Sequence, residues 1–309
     1  MIGGEGGWDY LTTDADARRL YVTHGTQVEV LDLDTGKKLG VVAGVSGAHG
    51  VVVASPLGRG FISSGRDSSV VAFDLRTLKP TSRIHVPARF PDAILFEPVT
   101  RRLFTFNGGS DNACAFDAAT GAFVDSLPLG GKPEFAVADG AGGVFVNIES
   151  TSEIVAFDAR TPGSRVVPRW RRAKSPPGSR WIANITSLFS GCSNRWMIVT
   201  DATTGRVVDS LSIGEGTDGV ACDAKRYAVF SSNGQGTLTV ATLGKNGRYA
   251  VAETDSTQRG ARTIALDPKS GRVYVVTASF GPPPEPTAER PHPRPTIVPG
   301  TFTVLVLEP

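Results

Sequence analysis

The sequence predicts an all-β fold, a seven-bladed β-propeller of four-stranded antiparallel blades with the last blade incomplete, and three observations carry that expectation. The first is a repeat. An aromatic residue closing a short basic or glycine-rich stretch recurs at Tyr21, Phe61, Phe104, Phe145, Phe189, Phe230 and Tyr274, in steps of 40, 43, 41, 44, 41 and 44 residues. The second is an alternating run that ends on aspartate after each of the first five, at Asp32, Asp74, Asp117, Asp158 and Asp201, in steps of 42, 43, 41 and 43. The third is composition: 36 glycines and 21 prolines in 309 residues are too many turn formers for a helical bundle, and they lack the period of collagen. A period of about 40–45 residues without 3.6-residue hydrophobic spacing is that of propeller blades.

Within the first repeat, DYLTTD (9–14) alternates, ADARR turns, LYVTH (20–24) is apolar and β-branched, QVEVLDL (27–33) alternates, DTGK turns and KLGVV (38–42) completes a four-stranded meander. The same reading places blades near 8–47, 48–89, 90–131, 132–170, 171–215, 216–259 and 260–309, in one domain. The recurring aromatics then pack between neighbouring blades, and the Asp and Gly of the DTG-like turns serve hairpin geometry. GPPPEPTAERPHPRPTIVPG (281–300) is too proline-dense to be a strand. It reads as a stiff insertion between the second and third strands of the last blade, a flap over the channel mouth carrying Glu289, Arg290, His292 and Arg294.

Lys+Arg at 32 against Asp+Glu at 30 gives a net charge of +2, which disfavours a nucleic-acid partner. Cys114, Cys192 and Cys222 form no CxxC, so neither a zinc ribbon nor a disulfide framework is expected; Cys192 is placed in a loop as an exposed thiol, and the other two in strands. No apolar run approaches the length of a membrane-spanning helix. HExxH, the GxSxG elbow and the Walker loop are all missing, and GEGTDG (214–219) satisfies GxGxxG only between two strands. No catalytic residue, metal ligand or cofactor is named by these patterns.

In a propeller, the links between blades and the turns between second and third strands open on one face, where binding loops collect. The inter-blade links bring Trp8, Asp9, His49, Asp92, Glu134, Asp218 and Arg262 to that face. The turns add His24, Gln27, Arg66, Asp67, Asn107, Asp111, Glu149, Asn194, Asn233 and Gln235. From these, His24, His49, Asp92, Glu134, Asp218, Asn233 and Arg262 are the candidate ligand-binding residues at the channel mouth. The excess of carboxylates would suit a hard cation such as calcium. The expected role is non-enzymatic binding or scaffolding of an unidentified small molecule or protein. The alternative is a lactonase-type hydrolase at the same mouth, with His24 or His49 as general base, Asp92, Glu134 or Asp218 as metal ligand or proton shuttle, and Arg262 holding an anionic substrate.

YVTH at 21–24, the DTG turn at 34–36 and ALDPKSGRVYVV at 265–276 resemble the YVTN-repeat, YncE-like seven-bladed propellers of bacteria, over essentially the whole chain. GGEGGWDYLT near the start and PTAERPHPRPTIVPG near the end look like longer signatures of one subgroup. The resemblance implies a periplasmic or secreted protein more than it implies a reaction. Because FTVLVL (302–307) is the third strand of blade seven, a fourth strand and a signal peptide are expected to precede Met1 in a longer gene product. The segment RWRRAKSPPGSRW (169–181) breaks the repeat. One possible coding sequence for 172–186, read from its third nucleotide, gives REEPAGVSLDREHH, similar to an EEPxGLxxD stretch of that family. Two compensating frameshifts and a degraded inner strand near 172–187 are therefore expected.

Overall fold

The computed structural model describes the chain apart from residues 1, 5, 163–165, 172–178, 183–184, 288–292, 294 and 309; for 166–171, 179–182 and 185–186 it describes the backbone alone. The described residues form twenty-seven strands arranged as seven antiparallel meanders. Blade one comprises β1 (Trp8–Asp14), β2 (Arg19–His24), β3 (Gln27–Asp32) and β4 (Lys38–Ala43). Blade two comprises β5 (Ala48–Ala54), β6 (Arg59–Ser64), β7 (Ser69–Asp74) and β8 (Pro80–His85). Blade three has β9 (Pro91–Glu97), β10 (Arg102–Asn107), β11 (Asn112–Asp117) and β12 (Phe123–Pro128), and blade four has β13 (Pro133–Ala138), β14 (Gly143–Ile148), β15 (Glu153–Asp158) and β16 (Val166–Arg171). Blade five is β17 (Ser179–Ile182), β18 (Ile185–Cys192), β19 (Trp196–Asp201) and β20 (Val207–Ser212); blade six is β21 (Thr217–Asp223), β22 (Ala228–Asn233), β23 (Thr237–Leu243) and β24 (Tyr249–Ser256). Blade seven has three strands, β25 (Ile264–Leu266), β26 (Val273–Thr277) and β27 (Thr303–Leu307), and the outer edge of β27 pairs with no strand among the described residues.

The seven marker aromatics lie on the second strand of each blade, between 0% and 9% exposed. They fill the gaps between blades: Tyr21 meets Phe73 of the next blade at 5.9 Å between ring centroids, and Phe104 meets Phe157 at 5.4 Å. Each such ring contributes about 1.5–3 kcal/mol by leaving water. On the face carrying the DTG turns, Asp32, Asp74, Asp117 and Asp201 each accept from the backbone N–H and hydroxyl of a threonine three residues on, all at 2.7–2.8 Å. Arginines opening the second strands tie adjacent blades on this face, Arg19 to the Leu75 carbonyl, Arg59 to that of Ala119 and Arg102 to that of Ala159.

Among the described residues the ring closes without a shared sheet. Thr13 Oγ1 donates to the Leu266 carbonyl at 2.7 Å, Tyr274 Oη to that of Leu33 at 2.9 Å, and the N–H groups of Ile2 and Gly3 donate to the Phe302 carbonyl. β17 is four residues long, shorter than the six or seven of the inner strands in blades one to four and six; Ser179 to Trp181 pair in register with Ser190 to Leu188. Residues 172–178 and 183–184 of the segment suspected of a shifted frame lie outside the described residues. Cys192 is not an exposed thiol: it ends β18, opposite Trp196, and is fully buried because that strand runs one residue further than the loop assignment allowed.

Candidate functional site at the channel mouth

The inner strands of five blades open in the same irregular way. In β1, Asp9 and Tyr10 together oppose the single residue Thr23; His49 and Gly50 oppose Ser63, Asp92 and Ala93 oppose Phe106, and Glu134 and Phe135 oppose Asn147. Asp218 is the extra residue of β21. These are β-bulges, which twist a strand locally and re-aim its side chains. Here each strand places its second residue, Asp9, His49, Asp92, Glu134 or Asp218, at the mouth of the central channel. Hydroxyls on the second strands hold the bulges in place: Thr23 Oγ1 accepts from the Asp9 N–H and donates to the Tyr10 carbonyl, both at 3.1 Å, while Ser63 Oγ accepts from the Gly50 N–H at 2.8 Å and donates to the Asp92 carbonyl of the next blade at 2.5 Å.

His49 Nδ1 sits 2.7 Å from Asp9 Oδ2 and 3.5 Å from Asp92 Oδ1. Its ring packs on Phe90, with centroids 4.9 Å apart, and its Nε2 edge lies over Gly65, where a Cβ would come within 2.9 Å of Nε2. Across the channel, Tyr10 Oη donates to Glu134 Oε1 at 3.2 Å, Lys132 Nζ stands 3.5 Å from Glu134 Oε2 and 2.5 Å from Glu149 Oε2, and Arg262 Nε lies 2.7 Å from Asp218 Oδ2. Beneath the ring, the Tyr10 and Phe135 rings meet at 5.3 Å above a channel of about 480 Å³ walled by apolar side chains such as Val51, Ile94, Leu95 and Val137.

Those apolar walls set the electrostatics. Burial, reinforced by the Asp92 charge and only partly offset by Lys132, pushes the Glu134 carboxyl up to about 8. Burial and then the Asp9 charge raise Asp92, against the opposing pull of His49 and Lys132. Tyr10 is raised well above its ordinary value by burial and then by Glu134. Burial works against the His49 imidazolium, but the Asp9 hydrogen bond and the Asp92 and Glu134 charges outweigh it, and its pKa rises. Burial likewise opposes the Lys132 charge, yet Glu149 and Glu134 carry that group up to about 12. Five carboxyls therefore face three cationic or protonatable groups, an arrangement that accepts added positive charge.

Of the sequence-derived candidates, His49, Asp92, Glu134, Asp218 and Arg262 converge here. His24 and Asn233 lie elsewhere. As the last residues of second strands they are buried inside the blade stack: His24 stacks on Phe302 at 4.3 Å with Nδ1 3.5 Å from Glu29, and the Asn233 amide accepts from Thr217 Oγ1 at 2.6 Å and donates to Thr237 and Thr239. Tyr10 and Lys132 belong to the site although the sequence did not single them out. The bulge exposes two consecutive residues at one position, which a strict alternation does not anticipate. The described ends of the proline-rich insertion flank the Arg262 side: Gly281 N–H donates to the Thr296 carbonyl, and Phe280, Pro295 and Ile297 join Trp8, Arg259 and Arg262 around a cavity of about 410 Å³. Glu289, Arg290, His292 and Arg294 lie outside the described residues.

No family model and no curated protein matches the chain. Solved structures do. It is similar to a chain of Kuenenia stuttgartiensis hydrazine synthase, with a TM-score of 0.76, 14% identity, and 87% of this chain and 92% of that one covered. It is also similar to U3-55K, with a TM-score of 0.81, 10% identity, and 99% and 97% covered. At such identities the likeness shows the propeller fold and nothing more.

Proposed function

We propose that this chain is a non-enzymatic binding propeller of the bacterial cell exterior, periplasmic or secreted, which takes its ligand at the carboxylate-lined channel mouth. The observation that carries the reading is the convergence of Asp9, Asp92, Glu134 and Asp218 from four blades onto one mouth, each at the same bulged position. The excess of carboxyl groups favours a ligand with positive charge or several hydroxyls over an anion. Export rests on the resemblance to YVTN-repeat propellers carried by YVTH, the DTG turn and ALDPKSGRVYVV. The test is thermal-shift screening of polyamines, amino sugars and polyols against the wild type and the double variant Glu134→Gln, Asp218→Asn. A ligand that raises the wild-type Tm and leaves the variant unmoved supports the reading; equal shifts in both place its site elsewhere.

A lactonase-type hydrolase is the second reading, favoured by one observation: His49 is oriented by Asp9 while carboxyls with raised pKa values stand beside it, the pattern of a general acid–base pair. Lactone turnover that is lost in His49→Asn would decide for it.

A further inference from the structure

We propose that Asp9, His49 and Asp92 form a binding site for one divalent transition-metal ion of the zinc class, with open coordination positions facing the channel mouth. The inference rests on the mouth being the ligand site and names part of what it holds. Three ligand atoms, one from each residue, lie within 4.8 Å of one another. Ligands about 2.0–2.1 Å from a tetrahedral ion stand about 3.3 Å apart. His49 Nδ1 and Asp92 Oδ1, at 3.5 Å, already have that separation, and His49 Nδ1 and Asp9 Oδ2, at 2.7 Å, would part by about 0.6 Å once an ion replaces the hydrogen bond.

An independent observation points to a missing partner. Asp92 is 7% exposed, and its Oδ1, the atom facing His49, is buried without accepting a hydrogen bond. A buried carboxylate oxygen left in that state is costly, and a cation satisfies it. The supports are in place: the bulge hydroxyls of Thr23 and Ser63 fix the backbones of Asp9 and Asp92, and Phe90 and Gly65 fix the imidazole so that Nδ1, not Nε2, faces the carboxylates. One imidazole nitrogen with two carboxylate oxygens suits zinc, cobalt or manganese, whereas calcium takes six to eight oxygens. Three protein ligands leave room for a ligand's hydroxyl or carboxylate, as at open zinc sites.

The test uses Co²⁺ as an optical probe and Zn²⁺ by titration calorimetry, on full-length protein stripped with chelator. The expected result is one ion per chain, visible d–d bands in the Co²⁺ form, and affinity at least tenfold weaker in both His49→Asn and Asp92→Asn. Asp125→Asn, on the outer strand β12, should bind Co²⁺ as the wild type does. Circular dichroism confirms that each variant is folded. Wild-type stoichiometry below one ion, or unchanged affinity in folded His49→Asn, overturns the site. A wild type that binds no ion but loses its organic-ligand shift in the Glu134/Asp218 variant leaves the mouth reading standing without the metal site; one ion per chain, lost in His49→Asn, with equal organic-ligand shifts in the wild type and the Glu134/Asp218 variant, leaves the metal site standing without that reading.

Discussion

Glu134→Gln should make the metal-free protein more stable, and the gain should depend on pH. In the folded chain the carboxyl titrates near 8, against 4.5 for the free group. Between those values the folded state keeps the proton and the unfolded state has lost it, so the native form loses stability steadily as pH rises through this window and levels off above about 8. At pH 7 the 2.5 units separating pH from the unfolded pKa amount to about 3 kcal/mol at 1.36 kcal/mol per unit. Glutamine keeps the acceptor for Tyr10 Oη and cannot ionise, so it removes that cost; Lys132 retains Glu149 at 2.5 Å. With unfolding entropy near 2.1 cal/mol/K per residue, a gain of about 3 kcal/mol over 309 residues is a rise in Tm of about 5 °C. Thermal melts of both proteins in chelator at pH 5, 7 and 8.5 measure it. The difference should be near zero at pH 5 and largest at pH 8.5. A variant that melts lower than the wild type at pH 7, or a difference that does not change with pH, refutes the account of a carboxyl held protonated by its apolar walls.

Gly60→Ala should destabilise blade two by about 2–3 kcal/mol, since a Cβ there would lie 2.1 Å from the buried Phe73 ring; urea titration would show it as a lower midpoint. Arg102→Met removes the bond to the Ala159 carbonyl and should cost about 1–2 kcal/mol by the same measurement, with the blades themselves unchanged in circular dichroism. Asp32, Asp74, Asp117 and Asp201 have depressed pKa values, caused chiefly by the threonine three residues on in each case. Their stabilisation is present above the ordinary carboxylate range and is lost as pH falls through the folded values. The difference in Tm between wild type and the fourfold Asp→Asn variant should therefore shrink between pH 5 and pH 2.5.

The blades were legible because their signal is local and repeated. An aromatic such as Phe104 has one place to go when the strand before and after it alternates, and the Asp117 turn announces itself by the Thr120 and Gly121 that follow. Ring membership was legible only in part. His49, Asp92 and Glu134 follow the link residues directly, and that was enough to place them. Tyr10 and Lys132 were missed for different physical reasons: the bulge breaks the period of two that sorts channel-facing from blade-facing positions, and Lys132 reaches the mouth only through its long flexible stem, from outside the strand. His24 and Asn233 were assigned to the mouth from the turns they border, whereas each ends its second strand with its side chain packed into the blade stack, His24 on Phe302 and Asn233 on Thr217 and Thr239.

The bulges at the starts of β1, β5, β9, β13 and β21 separate two inheritances within one chain. The paired residues around them answer to the ladder and to the neighbouring blade, and change there is tightly bounded. The extra residue in each is outside the ladder and answers only to the other residues of the collar, as His49 does to Asp9 and Asp92. Duplicated blades could thus diverge at the collar of the channel while remaining interchangeable everywhere else, so that a repeated scaffold acquires a mouth of mixed chemistry by single substitutions. An engineer could use the same freedom, rewriting the collar one blade at a time, with the hydroxyls of Thr23 and Ser63 left in place to hold the bulges they bond.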